Sequence, residues 1–306
     1  MLFFRVLVAA FAVPAVIGAL APTSYTPSGR PIYEAPSGSR VLQNGTDMVV
    51  YAPNGTVLHV FENVVGARTS TPTGTGPLRP RQTASVSQVY ATMGANDTLQ
   101  ALNASFVVPP PPTTFDSQFM FLSQGITTLD DTGAPATFFG GALQYGGSLV
   151  QGGPFYTAAA FLEFLPNGGY LTVTLIGPSA QLNVSDTAGI SLTYGGIETF
   201  PGEPTFFDYN LVFTGPDADN LPQFGVGQQV LPAIVGFRVE EEGVSEPSDY
   251  PTGPLTFKDV QLELTTGFPK KLDWEIDGAA ATGIDFKVVK GGSKNAEIKL
   301  IFPDDS

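Results

Sequence analysis

The sequence predicts an all-β protein, a sandwich or a barrel, and three observations carry that expectation. Aromatic and β-branched runs are short and are separated by clusters of Gly, Pro and Asn. No stretch keeps a helical period for more than two turns. About 225 residues follow Arg81, a length that suits one domain.

In chain order, residues 1–19 come first. One early charge (Arg5), an apolar run through Ile17 and the small pair Gly18-Ala19 predict a secretory signal peptide. The run is too short to span a membrane comfortably, and no later stretch rivals it. A secreted, extracellular protein is expected, with no membrane partner. Residues 20–81 differ in composition, and Thr69–Pro80 is rich in Pro, Gly, Ser and Thr. With the basic site Arg79-Pro80-Arg81, this region reads as a removable propeptide and linker. Inside it, two β-rich runs flank Asn54-Gly55 and predict a hairpin over 47–61. A stalk that stays attached is the alternative.

The remaining strands are expected at 104–108, 118–122, 137–145, 156–165, 170–176, 190–194, 210–214, 233–240 and 255–264. The lysine-rich segment 270–306 is expected to supply terminal strands or a small appendage. Five Asn-x-Ser/Thr sequons, at Asn44, Asn54, Asn96, Asn103 and Asn183, are candidate glycosylation sites.

Charge and missing residue types exclude several functions. The chain carries net −14. Residues 82–306 hold 8 Lys+Arg and 25 Asp+Glu, whereas 20–81 hold five Arg and three acids. An acidic body argues against nucleic-acid binding. A mildly basic segment on an acidic body predicts attraction at neutral pH and release on acidification. There is no cysteine, and the only histidine, His59, lies in the segment expected to be removed. Thiolate nucleophiles, disulfides, Ser-His-Asp relays and imidazole metal sites are therefore excluded from a mature product. No cofactor or metal is expected, and acid–base work falls to carboxylates, tyrosines or lysines.

Three strings could carry chemistry. In Phe139–Gly147, strand alternation puts Ala142 and Gln144 on one face and Leu143 and Tyr145 on the other. The Gln144 amide could serve a developing oxyanion, or simply bond a neighbour. In Ala160–Pro166, Glu163 is the only charge in an apolar, aromatic run and shares a face with Phe161 and Leu165. That setting should raise its proton affinity. In Phe237–Gly243, Arg238 and Glu240 face the same way and are placed to pair, although three consecutive acids also suit a solvated strand end.

Together these strings resemble the eqolisin family, the secreted fungal glutamic peptidases. Ala142-Leu143-Gln144-Tyr145-Gly146 is similar to the family's strand with the catalytic Gln. Leu162-Glu163-Phe164-Leu165-Pro166 is similar to its Tyr-Glu-Trp-Tyr-Pro strand, and Phe237-Arg238-Val239-Glu240 to the strand with its catalytic Glu. Ala104–Pro109, Asp249-Tyr250-Pro251 and Leu255–Val260 continue the resemblance in order across 104–262. The sequence departs from the family in holding Phe161 and Phe164 where Trp is usual, with the sole Trp274 outside the match. The Asp of an early family motif is missing as well. The resemblance implies a concanavalin A-like antiparallel sandwich and an acid endopeptidase, monomeric, acting on proteins or peptides and inhibited by its own propeptide. It implies Gln144 and Glu240 as the catalytic pair, Glu163 orienting substrate, and Phe161, Phe164 and Tyr145 lining the substrate site. A carbohydrate-binding or glycosidase sandwich with Phe155, Tyr156, Phe161 and Phe164 as platform is one alternative. A non-catalytic wall or surface protein on the same scaffold is the other.

Overall fold

The structure, a computed structural model, describes residues 20–65, 84–116, 118–147, 149, 151–165, 168–199, 204–278 and 283–303. The expected signal peptide and the Arg79–Arg81 processing site lie outside them. Among the described residues no helix is long and apolar enough to cross a membrane.

The described strands, numbered in chain order, are β1 (Ser24–Tyr25), β2 (Pro31–Ala35), β3 (Arg40–Asn44), β4 (Asp47–Tyr51), β5 (Val57–Phe61), β6 (Ser85–Thr92), β7 (Leu99–Val107), β8 (Phe119–Leu129), β9 (Pro135–Gly146) and β10 (Tyr156–Phe164). They continue with β11 (Gly169–Val173), β12 (Gln181–Leu182), β13 (Thr187–Thr199), β14 (Thr205–Thr214), β15 (Phe224–Gln228), β16 (Ile234–Glu242), β17 (Leu255–Leu264), β18 (Glu275–Asp277), β19 (Asp285–Lys290) and β20 (Ala296–Ile301). Each of the nine strands expected after residue 81 forms. β8 and β13 run further than expected, where Gly or Thr continues the pleat, whereas β10 and β11 stop at Phe164 and Val173, short of the expected 165 and 176.

Two ten-stranded sheets pack as a sandwich. Sheet A runs β1-β2-β11-β10-β9-β8-β16-β6-β18, with β12 also on β10; sheet B runs β19-β20-β17-β7-β13-β14-β15-β3-β4-β5. Alternation sends one side of each strand into the shared core. From β9 and β10 these are Phe139, Leu143, Tyr145, Ala158, Ala160, Leu162 and Phe164. Gly141 also faces inward, where a Cβ would sit 3.1 Å from Leu211 and Phe213, so its lack of a side chain lets the sheets close. The opposite side of sheet A carries a second apolar cluster, including Phe119, Phe121, Phe138, Ala159, Phe161 and Tyr170. Strands buried on both faces explain why β10 reads as a continuous apolar run.

Residues 20–65 are not a separate unit beside the sandwich. The predicted hairpin forms as β4 and β5. Yet β1 and β2 extend sheet A while β3 to β5 extend sheet B, and Ala35, Val41, Met48, Val50 and Phe61 join the main core. The expected division at residue 82 is therefore not a division of the packed core. How the segment joins is distinctive. β2 pairs β11 and β3 pairs β15 in parallel, whereas the other described strand pairs are antiparallel. Without β1 to β5, seven strands remain on the main path of each sheet. The segment thus adds strands to two edges of a sandwich that is otherwise a set of antiparallel neighbours. Segment 270–306 likewise adds strands at two sheet ends: β18 at the edge of sheet A, and β20 with the edge strand β19 on sheet B.

Candidate active site

The site is built on the outer face of sheet A, where the second apolar cluster meets a set of buried charges. Strand parity decides which side chains arrive there. Along β16, Arg238, Glu240 and Glu242 point outward, while Val239 lies in the main core. Along β10, Phe161 and Glu163 point outward. Glu163 is opposite Tyr170 of β11, and Tyr170 is opposite Ile32 of β2. Glu163, Tyr170, Glu240 and Glu242 are each 2 % exposed or less.

Two guanidinium groups bind these carboxylates together. Arg238 donates from Nη1 to Glu163 Oε2 at 2.5 Å and from Nη2 to Glu240 Oε2 at 2.9 Å. Its guanidinium lies over the Phe138 ring, 5.1 Å from the centroid. That ring occupies space left by Gly125 and Gly140, where a Cβ would come within 2.7 Å of it. The second guanidinium is Arg30, from the N-terminal segment. It donates from Nη1 to Glu163 Oε1 at 2.7 Å, and from Nη2 to Glu242 Oε1 at 2.7 Å and to Glu240 Oε1. It lies 4.6 Å from the Tyr170 ring centroid. The Tyr170 hydroxyl donates to Glu240 Oε1 at 2.6 Å. Ser28 completes the contact, donating from its backbone N at 2.7 Å and its hydroxyl at 2.9 Å to Glu242.

The two central carboxylates titrate in opposite directions. Burial pushes Glu163 above the usual carboxylate range and the Glu240 charge adds to that, with Arg238 and Arg30 opposing. Burial also acts on Glu240, but Arg238, Arg30 and the Tyr170 hydroxyl outweigh it and hold Glu240 below that range. Burial and the neighbouring carboxylates push the Tyr170 phenol well above its ordinary value, so it remains a donor.

Glu163, Phe161 and Glu240 are thus brought to one face, and Arg238 pairs with Glu240 as its strand position predicts. Gln144 reaches the same face but does not meet Glu240. The register runs Glu240, Phe121, Gln144 across β16, β8 and β9, which puts the two backbones roughly 10 Å apart at two strand spacings. The Phe121 ring, stacked on Phe161 at 4.8 Å, sits between them. The Gln144 amide nitrogen donates to Gly146 O and Gln151 O, both at 3.2 Å, and its oxygen accepts from Leu149 N at 3.3 Å. Gln144 therefore holds the loop after β9, and Gln144 and Glu240, the pair the resemblance implies, do not touch each other. Phe164 and Tyr145 are also displaced from their expected role. Parity turns both into the main core, where Phe164 packs on Phe61 and Tyr145 on Tyr156. With Tyr156 and Phe164 inside and Phe161 buried, the expected sugar platform does not form a surface.

Arg30 and Tyr170 were not legible as site residues. Arg30 stands alone in a Pro/Gly-rich stretch, and only the parallel docking of β2 brings it over β10 and β16. The charge asymmetry was the available signal. Arg30 lands on three carboxylates of the body, and Arg40 of β3 pairs with Glu198 and Asp208 of the body. The Arg40 pair borders a groove of about 480 Å³ over sheet B, away from the Glu163–Glu240 cluster. Among the described residues no group of three or more His, Cys, Asp or Glu side chains is arranged to hold a metal ion. The chain matches no protein-family model and no curated protein.

Proposed function

We propose that this chain is the latent form of a secreted acid endopeptidase that works with a carboxylate pair, Glu163 and Glu240. One observation carries the reading. Two buried carboxylates, Glu163 and Glu240, are held on one face by the same body guanidinium, Arg238, while burial pushes Glu163 up and the neighbouring cations hold Glu240 down, a divergence that suits an acid and a base. Their position beneath a segment of the same chain, upstream of a basic Pro-rich linker, supports latency.

With the N-terminal segment displaced, ionised Glu240 takes a proton from a water molecule as that water attacks a peptide carbonyl. The Arg238 guanidinium and the Tyr170 hydroxyl face the same space and would stabilise the oxyanion that forms. Protonated Glu163 then donates its proton to the leaving amine. Gln144 has no chemical step in this scheme; it fixes the loop after β9. Acid favours the reaction in two ways. Protonation keeps Glu163 in its donor form, and it weakens the hold of the carboxylates on Arg30.

The test is digestion of denatured casein across pH 2–7 by the full chain after acid incubation. General acid–base catalysis contributes roughly 10²–10⁴-fold, so Glu240→Gln and Glu163→Gln should each lose at least about 100-fold, whereas Gln144→Ala should lose less than about 10-fold per folded molecule. A wild-type chain that never cleaves casein, or variants as active as wild type, would end the proposal. Cleavage of a polysaccharide with the same dependence on Glu163 and Glu240 would move the site to glycoside hydrolysis.

A further inference from the structure

We propose that the pocket formed by Glu163, Glu240, Glu242 and Tyr170 is a guanidinium subsite, and that Arg30 occupies it in place of an arginine side chain of the peptide substrate. The inference rests on the peptidase reading for the word substrate, but the pocket stands on its own geometry.

Four observations support it. First, the terminal nitrogens of Arg30 reach three carboxylates at once, Glu163 from β10 and Glu240 and Glu242 from β16. A planar fork can do this; the single nitrogen of an ammonium cannot match three separated acceptors with the same geometry. Second, Tyr170 supplies a flat wall for the cation, with the Arg30 guanidinium 4.6 Å from its centroid. Third, the three carboxylates, Tyr170 and Arg238 belong to the body, whereas Arg30 arrives on the added segment, where Ser28 also bonds Glu242. That segment docks as an extended peptide docks on a sheet edge, with β2 pairing β11 from Tyr170↔Ile32 to Val173↔Ala35 and the side chain entering a pocket beside the edge. Fourth, the seat recognises the tip of the side chain. Arg30 Nε is buried without a hydrogen-bond partner, while both terminal nitrogens are engaged.

Charge gives the pocket its preference once Arg30 leaves. Among the described residues Arg238 is then the one cation still paired with Glu163 and Glu240, Glu242 has lost its ion pair, and Phe119, Phe121 and Phe161 supply the apolar surroundings. Such a site attracts a second delocalised cation. Glu163 and Glu240 are also the proposed acid and base, so an arginine seated there places its own backbone beside them.

The test uses the full chain carrying Arg30→Ala, which removes the guanidinium and keeps the rest of the segment. Ethylguanidinium, the fragment deleted, is titrated against thermal stability at pH 6, with n-propylammonium as the control. The expected result is saturable stabilisation of the variant by ethylguanidinium, at least tenfold tighter than by n-propylammonium, and no saturable response in the wild-type chain. Equal responses to the two cations, or none, overturn the subsite. Should Arg30→Ala not fold, the wild-type chain is cut at a protease site introduced within residues 66–83. A peptide spanning 24–35 should then displace residues 20–65 at least tenfold better than the same peptide with citrulline at position 30; equal displacement overturns the proposal. Neither readout depends on peptide hydrolysis. Binding without casein cleavage retains the subsite and removes the peptidase, and cleavage without guanidinium binding does the reverse.

Discussion

Glu241 makes the stability of this protein depend on pH in a direction opposite to that of an ordinary acidic protein. The strand alternation that sends Glu240 and Glu242 outward turns Glu241 toward the interior, where it is 6 % exposed. It accepts one hydrogen bond, from the Tyr250 hydroxyl at 3.2 Å, and its Oε2 has no partner. Burial pushes its pKa from 4.5 up to about 7, with the Tyr250 bond opposing only in part. A carboxyl with a raised folded pKa binds its proton more tightly in the native than in the unfolded state. Its contribution is therefore fully present below pH 4.5 and is lost as pH rises through 7. The difference between about 7 and 4.5, at 1.36 kcal/mol for each pH unit, comes to about 3 kcal/mol. Glu163 acts with the same sign. Glu240 and Asp249, held below their ordinary values, lose their contributions only at pH values below the usual carboxylate range. Stability should therefore peak near pH 4–5. Urea unfolding followed by the fluorescence of Trp274, the only tryptophan, at pH 4.5, 6 and 8 measures this directly. Glu241→Gln should remove about 3 kcal/mol of the pH dependence. If the difference between wild type and Glu241→Gln stays constant across that range, the assignment of a buried, under-bonded carboxyl is wrong.

Other expectations are more local. Arg238→Met leaves Glu163 and Glu240 sharing the single guanidinium of Arg30, and should cost about 3–5 kcal/mol in urea unfolding; adding Glu163→Gln should recover part of that loss. Gln144→Ala removes the three hydrogen bonds that Gln144 makes to the loop after β9, which should cost about 1–3 kcal/mol and speed amide exchange at Gly147, Leu149 and Gln151. Gly169 sits at φ +92 at the start of β11, and a Cβ there would lie 2.8 Å from Pro31 Cγ. Gly169→Ala should accordingly cost more than the roughly 1–2 kcal/mol of a strained left-handed residue, with the loss concentrated in hydrogen-exchange protection of β2. Phe121→Ala opens the space between Glu240 and Gln144. It should destabilise by about 3–5 kcal/mol and leave the Gln144 loop bonds in place, as a crystal structure of the variant would reveal.

Much of the body was legible because its strands are delimited by local chemistry. Gly, Pro and Asn clusters end the runs, and alternation predicts the sides taken by Ala142, Gln144, Glu163, Arg238 and Glu240. Parity was also enough to place Leu143 and Tyr145 away from Gln144. The same rule, applied to Phe164 beside Glu163, would have removed Phe164 from the site, because neighbours in a strand point apart. The position of Gln144 relative to Glu240 was not legible in this way. Both lie on one face, but whether they touch depends on how many strands separate them, and β8 with Phe121 stands between.

The amino-acid sequence by itself determined the class of fold, the strands of the body and the chemistry left open by the missing cysteine and the lone histidine, because these depend on residue type and on neighbours a few positions away. It also determined the imbalance between a basic N-terminal segment and an acidic body. Only the tertiary structure decided where that imbalance discharges. Arg30 meets Glu163, Glu240 and Glu242 across 133 to 212 positions of chain, through a parallel strand pairing that no local pattern encodes, since sheet order is set by the burial of whole faces rather than by any one run of residues.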